Sequence, residues 1–76
     1  MEKVYALEMN VNGKTVAYDV LFDQEVYNFV PHNTLEGFPA YRFKLENNHW
    51  IELQETDHEI KRQAIGCLDQ YLLSQH

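Results

Sequence analysis

Cysteine, proline and glycine are all scarce here, and each scarcity excludes something. The single Cys67 cannot close an internal disulfide, so packing has to hold the chain together. With two prolines and three isolated glycines the chain has no low-complexity segment and no glycine-rich phosphate loop. No apolar run approaches the roughly 18 residues a membrane helix needs. Charges begin at Glu2 and Lys3, which leaves no apolar stretch for a secretory leader. Basic residues are few: six Lys and Arg stand against twelve Asp and Glu, a formal net charge of -6. That balance repels phosphate backbones and anionic lipid surfaces. The expectation is a chain complete from Met1, at home in a reducing cytoplasm, with neither a membrane nor a nucleic acid as partner.

What is present is core-forming material. A hydrophobic fraction of 45% and an aromatic fraction of 13% belong to a globular chain rather than a disordered one. Residues 1–76 make one domain. At this length a domain buries only about 60–65% of its unfolded surface, near the lower limit for unaided stability.

The C-terminal third reads as one amphipathic helix over 56–74. Thr56-Asp57-His58-Glu59 fits a capping box. Ile60, Ala64, Ile65, Cys67, Leu68, Tyr71 and Leu72 fall within one arc of about 160° at 100° per residue. Asp57 and Lys61 are placed for an i,i+4 pair. Gly66 sits on the polar side, where it costs about 1 kcal/mol relative to Ala.

Such a stripe needs an apolar surface, and two hairpins supply it. Over 2–22, Asn12-Gly13 suits a type I′ turn. It opposes Val11 to Lys14, Met9 to Val16, Leu7 to Tyr18 and Tyr5 to Val20, with those apolar residues on one face. Val4, Ala6, Ala17 and Leu21 go to the other. Over 40–54, a three-residue loop at Asn47-Asn48-His49 turns Tyr41, Phe43, Leu45, Ile51 and Leu53 inward and Arg42, Lys44 and Trp50 outward. A further strand at 26–30, after a turn near Asp23-Gln24, sets Tyr27 and Phe29 beside Val20 and Tyr18. A loop follows from His32 to Pro39. The fold class is α+β: a two-layer sandwich, with an antiparallel sheet of four or five strands covered on one face by the helix.

The candidates for chemistry are weak. Cys67 has no adjacent base and belongs to the core edge. His32, His49, His58 and His76 lack metal-ligand spacing, and Asp57 and Glu59 are accounted for by the helix N-terminus. Glu52, Glu55, Asp57 and Glu59 cluster at the strand–helix junction as solvated charge. No catalytic or metal-binding residue and no cofactor is expected. The uncovered sheet face is the remaining feature. Its residues Trp50, Arg42, Lys44, Val4, Ala6 and Leu21 are the candidate interaction surface, for a protein partner or a homodimer. A non-enzymatic interaction domain is therefore expected. The alternative is a small-ligand binder or minor enzyme with a pocket near the 31–40 loop, lined by His32, Phe38 and Tyr41.

Overall fold

The computed structural model describes residues 2–33 and 37–74. Five strands precede one helix: β1 (Glu2–Val11), β2 (Lys14–Asp23), β3 (Val26–Pro31), β4 (Tyr41–Glu46), β5 (His49–Glu52) and α1 (His58–Ser74). Each strand pairs antiparallel with its sequence neighbour, in the order β1-β2-β3-β4-β5. The expected α+β arrangement is the one found, with five strands in an open sheet. The 32–39 loop includes positions 34–36, which lie outside the described residues, as does His76.

The first hairpin has the expected turn and register. Asn12 and Gly13 have φ of 53° and 83°, the left-handed pair a type I′ turn requires. Val11 faces Lys14, Met9 faces Val16, Leu7 faces Tyr18 and Tyr5 faces Val20. Near its start β1 departs from the simple pattern. A bulge between Lys3 and Tyr5 sets Lys3 opposite Leu21. Val4 is thereby half-buried against the core, not exposed on the open face.

Two turns differ from expectation. The β2–β3 turn lies at Gln24-Glu25, both left-handed with φ of 49° and 67°. Moving the turn by one residue shifts the pairing by two. Phe29 therefore faces Val20 and Tyr27 faces Phe22, with the inward set preserved. Pro31 faces Tyr18 past the last β3–β4 pair, where no β4 residue pairs with it and its missing N–H breaks no ladder.

The β4–β5 turn has two residues, not three. Asn47 and Asn48 have φ of 51° and 65°, and Leu45 faces Trp50 while Phe43 faces Glu52. Every β5 side chain thus lies on the face opposite to that expected. Trp50 and Glu52 point toward the helix; Ile51 and Leu53 are exposed, at 40% and 41%.

The helix begins two residues later than expected. Asp57 caps it: its Oδ2 accepts from the Glu59 amide at 3.1 Å, while Thr56 Oγ1 donates to the Gln54 carbonyl. Glu59 pairs with Arg62 rather than reaching back to Thr56, and Lys61 reaches Glu52 rather than Asp57. Nothing packs over Gly66.

Ile60, Ala64 and Leu68 are buried against Met9, Val11, Val16, Tyr18, Val20, Phe29, Tyr41 and Phe43. Phe29 and Phe43 meet edge to face at 5.6 Å. Tyr18 donates from its hydroxyl to the Pro39 carbonyl at 2.9 Å, tying the return of the 31–40 loop to the core. Burial, with a smaller contribution from Tyr41, pushes the Tyr18 hydroxyl well above its ordinary pKa.

The helix touches both edges of the sheet. Gln63 and Tyr71 reach Asn10 and Tyr5 on β1. Lys61 and Asp69 reach Glu52 and Trp50 on β5. Five strands at about 4.8 Å spacing would span roughly 19 Å if flat, while a helix with its side chains is only about 10–12 Å across. The sheet must therefore curl around the helix, with a concave covered face and a convex open one.

Candidate functional site

The open face can be built row by row from the registers. One row runs Lys3, Leu21, Asn28, Arg42; the next runs Asp23, Val26, Lys44, Ile51; a third runs Ala6, Asp19, Val30. Leu21, Val26, Val30 and Ile51 thus surround Asn28, Arg42 and Lys44. Asn28 is fixed by its own amide, which donates to the carbonyls of Leu21 and Val26 at 3.2 Å each. Arg42 is anchored through its main chain: its N–H donates to Gln54 Oε1 at 2.8 Å and its carbonyl accepts from Leu53 at 3.0 Å. Its guanidinium and the Lys44 ammonium make no ion pair among the described residues.

Nearer β1 the face holds a charged cluster. Lys3 Nζ lies 3.1 Å from Asp19 Oδ1, and His32 Nδ1 lies 3.0 Å from Asp19 Oδ2. The His32 hydrogen bond, then that of Lys3, holds the Asp19 carboxyl below its usual range. An open groove of about 420 Å³ runs beside these groups. Ala6 and Ala17 are among its lining residues, with Lys3, Glu8, Asp19 and His32.

Of the six residues expected to form the interaction surface, Arg42, Lys44, Ala6 and Leu21 are on the open face. Trp50 and Val4 are not. Trp50 packs on the helix side, donating to Asp69 Oδ1 at 2.9 Å and meeting Tyr27 at 5.6 Å. The three residues of the expected pocket are not brought together. His32 is on the open face, Tyr41 is buried in the core and Phe38 is half-buried against it. Lys3 and Ile51 were missed. The bulge at Val4 hides Lys3. The left-handed preference of two consecutive asparagines was the available signal for Ile51.

Other candidate chemistry is structural. Cys67 is half-buried, and burial pushes its thiol up to about 11, away from reactivity. Among the described residues no group of three or more His, Cys, Asp or Glu is placed to hold a metal ion. Among the described residues no helix is long and apolar enough to cross a membrane.

Glu52 lies on the helix side of the sheet. Its Oε1 lies 3.8 Å from Lys61 Nζ, and its Oε2 is buried with no hydrogen-bond partner. An ion pair whose desolvation is so incompletely compensated is a poor source of stability. Glu52→Met is accordingly expected to raise stability by about 0.5–1 kcal/mol, discounted for the partial exposure of both groups. Urea unfolding checks this; a loss of stability would show that the pair helps hold the helix.

Comparison with known protein families, with curated proteins and with solved structures yields no match.

Proposed function

We propose that the chain is a non-enzymatic interaction domain that binds another protein through its open sheet face. The observation that carries this is the Arg42–Lys44 pair: two cations without carboxylate partners among the described residues, set among Leu21, Val26 and Ile51 on a chain of net charge -6. Charge that is uncompensated within the molecule can be compensated by a partner, and apolar neighbours strengthen such a contact by excluding water. The matching surface is a protein patch with carboxylates between apolar side chains. The same charges count against two copies meeting face to face, since that would bring like charges together.

A photo-crosslinking residue at Asn28, used in cells, tests the reading. The supporting result is one dominant adduct, joined at a partner segment of mixed acidic and apolar composition. Arg42→Ala with Lys44→Ala should reduce it at least tenfold, the loss of roughly 1.4 kcal/mol, at unchanged thermal stability. An adduct indifferent to both substitutions, or none, would overturn it.

A further inference from the structure

The unpaired edge of β1 carries a second inference. The Asn12-Gly13 turn makes Val11 and Lys14 the hydrogen-bonded closing pair, so the odd residues from Tyr5 to Val11 bond to β2. Ala6, Glu8 and Asn10 then direct their main-chain N–H and C=O groups outward. At Asn10 both are taken up: its N–H donates to Gln63 Oε1 at 2.8 Å and its carbonyl accepts from Gln63 Nε2 at 3.0 Å. The glutamine amide occupies the place a strand residue would hold and closes the edge there. The bulge between Lys3 and Tyr5 interrupts it on the other side. Between the two blocks lie Ala6 and Glu8, both exposed, with no partner for these groups among the described residues.

We infer that this window pairs with the same window of a second copy, antiparallel about Leu7. Two free residues separated by one are self-complementary only in that register. Ala6 exchanges two hydrogen bonds with Glu8 of the second copy, and Glu8 exchanges two with its Ala6. The two Leu7 side chains, each half-buried in the free chain, meet between these pairs. Charge modulates the strength of this pairing. Glu8 makes no ion pair among the described residues. Opposite Ala6, its carboxylate lies diagonal to the other copy's Glu8, a like-charge contact that weakens the pairing. The other edge is less suited: β5 has only four residues, and its Glu52 carboxylate is turned to Lys61. Four main-chain bonds and one leucine pair make a small contact, so the dimer is weak and concentration-dependent. It joins two sheets edge to edge and leaves both Arg42–Lys44 faces free, so it stands independently of the face proposed to bind another protein.

The test is mass by sedimentation equilibrium from low micromolar to near-millimolar protein, together with amide hydrogen exchange. The intact chain should rise from 9.0 kDa toward twice that mass. Slowing of exchange with concentration should be confined to the Ala6 and Glu8 amides on the β1 edge. Ala6→Pro removes an outward N–H that no β2 group uses, so the fold should survive while association weakens at least tenfold. Glu8→Gln, which keeps the backbone intact and removes the like-charge contact between the copies, should strengthen it, and added salt should diminish that difference. A monomer throughout the range overturns the inference. So does a dimer whose protected amides lie on β5, or one that tolerates Ala6→Pro in a variant with native circular dichroism.

Discussion

Phe43→Ala is expected to lower stability by about 3–5 kcal/mol. Phe43 is fully buried at the centre of the concave face, edge to face with Phe29 and across the sheet from Tyr27. Ile60, Ala64 and Leu68 close over this core from the helix. Removing the ring leaves a cavity that a sheet already curled around one helix has little freedom to collapse. A domain of this size has roughly 4–11 kcal/mol in total, so the variant should be substantially unfolded in mild urea. Phe43→Leu retains most of the volume and should lose less than about 1.5 kcal/mol. Urea denaturation of both, followed by circular dichroism, checks the pair of values. Equal losses would mean that the ring's shape matters more than its volume.

Trp50→Ala should lower stability by about 2–4 kcal/mol, somewhat below the range for a fully buried aromatic. Trp50 is half-buried, but it joins β5 to β3 through Tyr27 and to the helix through Asp69. Trp50→Phe preserves the aromatic contact and gives up the hydrogen bond, so it should lose about 1 kcal/mol. Thermal unfolding of the two variants separates the contributions. A loss in Trp50→Ala below that of Trp50→Phe would show that the ring contributes nothing beyond its indole N–H. One practical consequence is that impaired binding in Trp50→Ala would report a damaged fold, whereas Arg42→Ala and Lys44→Ala report the open face.

Much of the fold was legible because local and long-range signals coincided. In the first hairpin, Asn12-Gly13 and the alternation of Leu7, Met9, Val16 and Tyr18 demand the same register. The helix stripe predicted Ile60, Ala64 and Leu68 as core residues, and they are buried. The second hairpin was misread because alternation and turn chemistry conflict there. Alternation places Ile51 and Leu53 inward, while Asn47-Asn48 suits a two-residue turn that places Glu52 inward. The turn prevails, with Lys61 supplying a distant counter-charge that no local pattern discloses.

Gln24-Glu25 was illegible for a related reason. Neither residue favours the left-handed region, so the strands on either side set the turn instead of being set by it. The helix start was misplaced by the similarity of Thr56 and Asp57 as caps. Of the candidate site, Arg42, Lys44, Ala6 and Leu21 could be placed by strand parity alone. Lys3, Asp19 and His32 could not be grouped, because the grouping depends on a bulge and on a third strand.

The edge-on contact of Tyr5 with Tyr71, with ring centroids 6.2 Å apart, has an architectural consequence. It brings the beginning of β1 and the end of α1 to one corner of the molecule. That corner lies three strands away from Arg42 and two residues from Leu7 along β1. β1 and α1 are therefore held to one another directly as well as through the core, by two residues near opposite ends of the sequence.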